Sequence, residues 1–157
     1  MDKKDFMQEA IKESAINLIT NEGGPFGAVV VKNGKIIGCG HNHVLADNDP
    51  TAHGEIMAIR DACKKLGTHD LSGCELYTSA FPCPMCLGAI IWSNIKKVYY
   101  GNDVYDTAEI GFRDEAIYEF LNSQGKKTDI LAIEQVSHEE AHKVFEQYMK
   151  KLDKTLY

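Results

Sequence analysis

His53-Gly54-Glu55 and, farther along, Pro82-Cys83-Pro84-Met85-Cys86 restrict this chain more than any other part of it. One histidine and two cysteines can hold a zinc ion and leave a fourth coordination position for water, the open arrangement of catalytic rather than structural zinc. A fold that uses them must bring the starts of two separate helices to one point. With His53 and Glu55 in the first turn of one helix and Cys83 and Cys86 in the first turn of another, both sulfurs lie on one helical face. A helix N-terminus favours negative charge, which keeps cysteines as the thiolates that bind metal. Pro84 fits the first turn, where its missing N–H has no intrahelical partner.

Bound zinc lowers the pKa of its water toward neutrality. Glu55 is offset from His53 by two residues, so it points beside the ion and serves as a proton carrier. Together these features predict hydrolytic deamination. An isolated C-x-x-C also suits a redox pair, or half of a structural zinc site completed by Cys74 or His43. The joint occurrence of H-x-E and P-C-x-x-C, each opening a helix, matches the signature of zinc deaminases that act on nucleobases. A noncatalytic zinc-stabilised binding module has no use for an ionisable Glu55 beside the metal.

The rest of the chain suits a small soluble enzyme. Its 157 residues allow one domain. The predicted organisation is a single deaminase domain over residues 1–157. Apolar and charged fractions of 44% and 25% are those of a globular protein. With no apolar run long enough to span a bilayer and no signal segment, the expected compartment is the cytoplasm. A formal net charge of −6 weighs against a polyanionic partner. Five cysteines exclude a fully paired disulfide framework, and Cys39, Cys63 and Cys74 read as small buried hydrophobes.

Periodicity predicts a helix over 5–21 stopped by Gly23-Gly24, then strands 27–31 and 35–39 joined by Asn33-Gly34, a strong hairpin signal. A polar loop over 41–50 leads to a helix over 51–66, with Asp49-Pro50-Thr51 at its start. Further elements follow: strand 74–78, helix 83–93, strand 97–100, a polar loop, helix 114–121, strand 130–133 and helix 138–152. A hairpin followed by crossovers implies a mixed sheet covered by helices on both faces.

At these motifs the chain resembles the cytidine/deoxycytidylate deaminase-like superfamily, from the first helix to about Gly111. Asn48-Asp49-Pro50-Thr51-Ala52-His53-Gly54-Glu55 resembles the branch that holds tRNA adenosine deaminases and small bacterial guanine deaminases. The resemblance implies a three-layer α/β/α fold with a five-stranded mixed sheet (cytidine deaminase-like). It makes His53, Cys83 and Cys86 the ligands of one Zn2+ per chain and Glu55 the proton shuttle. It also implies a homodimer, with the C-terminal segment from about 112 exchanged so that Asp114 reaches the partner's site.

Three features point to a free purine, guanine, as the substrate. Phe26, in Gly24-Pro25-Phe26-Gly27, suits a ring stacked on a base or a core aromatic. Gly111-Phe112-Arg113-Asp114 resembles a segment whose aspartate handles guanine and protons, although an aspartate there also suits a helix N-cap. The terminal Tyr157 resembles a tyrosine that closes over substrate, with a frayed end as the alternative. Asn42 is placed where the superfamily sets an amide against the base, or forms a turn. Trp92 suits the pocket or the core equally. The chain departs from the family at Ser79-Ala80-Phe81-Pro82, where relatives carry Glu before the proline, and at Gly54, where alanine is commoner. The rival substrates are a tRNA adenosine and cytosine or another free heterocycle, since pocket shape sets the base.

Overall fold

Asp2 accepts hydrogen bonds from the Lys4 and Asp5 N–H groups while Asp5 accepts one from Asp2 N–H, a capping box that starts α1 (Lys3–Thr20). Asn21, in the left-handed region, ends it. The computed structural model describes all 157 residues, which divide into two units, Met1–Tyr118 and Glu119–Tyr157. In the first unit Asn33 and Gly34 take φ of 49° and 74° and close the expected hairpin between β1 (Gly27–Lys32) and β2 (Lys35–His41). A register shift between Val30 and Val31 marks a bulge in that pairing.

A one-turn helix, α2 (Val44–Asp47), follows, then α3 (Gly54–Leu66), β3 (Cys74–Ala80), α4 (Pro84–Trp92), β4 (Val98–Asn102) and α5 (Val104–Glu109). α6 (Asp114–Asn122) crosses from the first unit into the second, which also holds α7 (His138–Lys150). The sheet runs β2-β1-β3-β4, with β1 antiparallel to both neighbours and β3 parallel to β4. α1 covers one face, where Phe6 and Ala10 pack on Val29, Val31 and Tyr77. α3 and α4 cover the other, where Ala58, Ala62 and Ile90 pack on Ala28, Val30 and Leu76.

Several expectations are corrected. The mixed sheet has four strands, not five. The predicted strand over 130–133 is not formed, and Ile130, Leu131 and Ile133 are exposed. Its own unit contains only helices, so no strand is at hand there to satisfy its backbone groups. The two polar loops each hold a short helix, α2 and α5. α3 begins three residues later than predicted because Asp49 accepts from Thr51 N–H and Oγ1 in a local turn instead of capping the helix. Cys74 is buried and Cys63 half-buried as expected, but Cys39 is exposed. Along β2 it is Gly38 and Gly40 that face inward, which turns Cys39 outward.

Those glycines set how closely α3 approaches the sheet. A Cβ on Gly38 would stand 2.5 Å from Ala58 O and 2.7 Å from Ala62 N, and one on Gly40 would stand 2.5 Å from Met57 Cβ. Gly88, inside α4, has no atom within 4 Å of such a Cβ. Gly40→Val is therefore expected to cost about 1–3 kcal/mol through overpacking. Gly88→Ala is expected to add about 0.5–1 kcal/mol by helix propensity. Urea melts of the two variants should shift in opposite directions.

Candidate active site

His53 and Cys83 are the N-cap residues of α3 and α4, with extended ψ of 159° and 166°. Each carbonyl accepts the first bond of its helix, from Met57 and Leu87 respectively. The two helix starts meet: His53 Nδ1 lies 3.5 Å from Cys83 Sγ and 3.5 Å from Cys86 Sγ. These separations test whether zinc fits. With Zn–S of about 2.3 Å and Zn–N of about 2.0–2.1 Å, a tetrahedral N–Zn–S angle places nitrogen and sulfur about 3.5 Å apart. The donor set and its spacing fit the ion.

The electrostatics agree with a cation there. The Cys86 thiol donates to Cys83 and, with His53, holds Cys83 well below the usual thiol range, while burial acts in the opposite direction. Cys86 is pushed up by that same shared hydrogen bond, by burial and by nearby Glu55. His53 is raised, first by its bond to Cys83, with burial opposing. The cluster thus holds protons at the point where a metal ion can replace them.

Glu55, in the first turn of α3, is buried. Its Oε2 lies 3.5 Å from Cys86 Sγ, and its Oε1 lies 3.4 Å from Thr78 Oγ1. Burial raises its pKa above the usual carboxylate range, with the Cys83 charge adding to the effect. A carboxylate so placed holds a proton more readily than one in water.

A cavity of about 450 Å3 opens onto this cluster, within the range of small-ligand pockets. His53, Glu55 and Cys83 line it together with Phe26, Asn42 and Asp114. Asp114, the first residue of α6, is half-buried, and desolvation raises its pKa. It lines the pocket of its own chain. Phe26 meets Phe112 edge-to-face, with centroids 4.8 Å apart, so its ring is part of the pocket wall. Asn42 Oδ1 accepts from Val44 N–H, the turn role foreseen for it, and Asn42 also lines the cavity. That bond leaves its amide nitrogen as the group able to donate to a ligand. Phe81 lines the cavity as well and packs edge-to-face on Tyr100. Tyr157 lies in the second unit and is exposed; Trp92 is 66% exposed, so it is not a core residue.

Sequence reasoning passed over several supports. Asn17 is buried and donates through Nδ2 to the Gly24 and Asn42 carbonyls, 2.7 and 2.8 Å away. The readable signal was an amide on the buried stripe of α1 that carries Phe6 and Ala10. Gly23 and Gly24, expected to stop α1, lie beyond its Asn21 cap and instead make room in the pocket. A Cβ on Gly23 would overlap Asn42 Oδ1, and one on Gly24 would lie 2.7 Å from Phe112 Cζ and 2.8 Å from Phe26 Cε2. Tyr118 donates through its hydroxyl to the Pro82 carbonyl at 2.5 Å, which braces the turn before the cysteines.

Residues 1–102 match the cytidine and deoxycytidylate deaminase zinc-binding region. The chain belongs to that deaminase family. It is 47% identical over 130 residues to the guanine deaminase of Bacillus subtilis, a match covering 83% of each chain. It superposes on the crystal structure of guanine deaminase from Bacillus subtilis with a TM-score of 0.92 at 42% identity, over 100% of this chain and 99% of that one. A tRNA-specific adenosine deaminase of Aquifex aeolicus is 44% identical over 100 residues, 64% of this chain and 66% of the relative. The expectation of a zinc-dependent deaminase with a cytidine deaminase-like fold is borne out.

Removing one thiolate, in Cys83→Ala or Cys86→Ala, should weaken tight zinc binding by more than the roughly 10–100-fold that loss of a supporting partner costs. Gly24→Ala disturbs only the aromatic wall and should retain zinc. Metal analysis after dialysis against a chelator distinguishes the two outcomes.

Proposed function

We propose that this deaminase converts a free purine base, guanine, and water to xanthine and ammonia. The observation that carries this reading is the lining of one cavity. Buried Glu55 lines it beside His53 and Cys83 of the metal-ligand cluster, together with Asn42 and the Phe26–Phe112 pair. The sequence match to Bacillus subtilis guanine deaminase covers 83% of this chain, whereas that to the Aquifex aeolicus tRNA enzyme covers 64% of it. A net charge of −6 also suits a small neutral base better than a polyanion.

His53, Cys83 and Cys86 hold the zinc, which when bound supplies a water acidified toward neutrality. Glu55 takes a proton from the attacking water and delivers it to the purine ring nitrogen as the water oxygen bonds to C2. It then carries the proton of the new C2 hydroxyl to the amine as the C2–N bond breaks, leaving the carbonyl of xanthine and ammonia. Its raised affinity for protons, set by burial, suits a group that must both take and give one. Asp114, raised in the same direction, is a second carrier at the cavity wall. The Asn42 amide nitrogen donates to the purine carbonyl, and Phe26 packs against the base. Exclusion of bulk water completes the site, and we assign the closing ring to Tyr157.

We also propose that the active form is a homodimer. The exposed Ile130, Leu131, Ile133, Val144 and Phe145 of the second unit support a face meant for another copy. Because Phe112 and Asp114 line their own chain's pocket, the exchanged segment in this reading starts beyond Tyr118.

Zinc-loaded protein offered guanine, adenine, cytosine, their nucleosides and tRNA should release ammonia from guanine alone. Inosine formed in tRNA would overturn the assignment. Glu55→Gln should keep its zinc and lose about 10²–10⁴-fold in turnover; undiminished activity would remove Glu55 from the mechanism. Deleting Tyr157 should lower kcat/KM for guanine with zinc content unchanged. Sedimentation should report two copies, and an active monomer would refute the dimer.

A further inference from the structure

A second group of side chains of the types that can bind metal lies apart from the cysteines. Glu22 stands in the loop after α1, His41 ends β2, and His43 is the N-cap of α2. His41 Nε2 is 2.8 Å from Glu22 Oε2, His43 Nε2 is 3.1 Å from the same oxygen, and the two Nε2 atoms are 3.1 Å apart. Behind the rings stand two more carboxylates. Glu13 Oε2 is 3.0 Å from His41 Nδ1, and Asp47 Oδ1 is 3.6 Å from His43 Nδ1.

This arrangement has a definite chemistry. Glu13, hydrogen-bonded behind His41, favours the proton on its Nδ1 and leaves Nε2 with a lone pair, the orientation found behind metal-bound histidines. Asp47 lies near His43 Nδ1 as an ion-pair partner only. The two Nε2 atoms and a carboxylate oxygen converge at distances at which shared protons or one metal cation can hold them together. Donors about 2.1 Å from an ion are about 3.0 Å apart on an octahedral face and about 3.4 Å apart on a tetrahedral edge. The observed separations lie nearest the octahedral value. Imidazole donors select first-row transition ions over magnesium or calcium. All three side chains are partly exposed, so an ion can enter from solvent.

We propose that Glu22, His41 and His43 form a second divalent-metal site, for cobalt, nickel or zinc, distinct from the His53, Cys83 and Cys86 centre. Asn42, between the two histidines, lines the cavity. The Glu22 carbonyl accepts from Leu45 and Ala46 N–H, both at 3.0 Å. An ion here ties together the loop after α1, the end of β2 and the start of α2, and with them one wall of the pocket.

The test begins with protein carrying one equivalent of zinc, which is colourless, at the thiolate centre. Co2+ is then titrated while visible absorption, metal content after gel filtration and thermal midpoint are followed. One further equivalent should bind, with weak d–d absorption, no thiolate-to-cobalt charge-transfer band and a higher midpoint. In His43→Gln and in Glu22→Gln the affinity should fall about 10-fold or more, with the first zinc retained and the circular dichroism unchanged. A wild-type chain that takes up only one metal overturns the site, since a proton is then its sole occupant. A second equivalent that survives both substitutions also overturns it, because the ion sits elsewhere. A charge-transfer band does the same, because cobalt has then merely replaced zinc at the cysteines.

Discussion

The close approach of α3 to β2 is the constraint on which the site depends. Gly38 and Gly40 present no side chains, and Ala58 and Ala62 of α3 lie against the sheet within the space this leaves. Larger residues in that seam would lift the helix outward, and its N-terminus would move with it. His53 and Glu55 stand at that N-terminus. Their position beside Cys83 and Cys86, to within hydrogen-bonding reach, is thus decided by small residues a helical turn or more away.

The pocket is built on the same economy of volume. Gly23 leaves room for the Asn42 amide and Gly24 for the Phe26–Phe112 pair, while Asn17 ties the Gly24 and Asn42 carbonyls from behind. The backbone that carries the Asn42 amide and the backbone beside the aromatic pair are consequently tied by one buried amide on α1. Opposite them, Thr78 and Cys86 flank the Glu55 carboxylate. Preorganised groups of this kind need little rearrangement when charge moves in a reaction.

Much of this was legible in residues whose meaning is local. Asn33-Gly34 specifies its hairpin, and H-x-E with P-C-x-x-C specifies a metal centre wherever two helix starts can meet. What escaped depends on distant neighbours. α5 is started by a capping box of two aspartates, Asp103 and Asp106, which reads in sequence as a polar loop. The apolar stretch at Ile130–Ile133 has strand composition, but composition does not provide a pairing partner. Cys39 looked like a core residue until the inward-facing glycines on either side fixed its direction. The edge-to-face contact of Phe26 with Phe112 joins segments far apart in the chain, so neither motif alone announces it.

His53 and Cys83 both occupy N-cap positions, yet neither side chain caps its helix. A serine or aspartate at such a position contributes about 0.5–2 kcal/mol. Two helices that frame the pocket therefore begin without the usual anchor, and both side chains are turned toward each other instead, as ligands of one ion must be. A zinc ion bound by these ligands would fasten the two helix ends together. The metal-free chain should fray first at these two ends, which links metal supply to the lifetime of the folded enzyme in the cell.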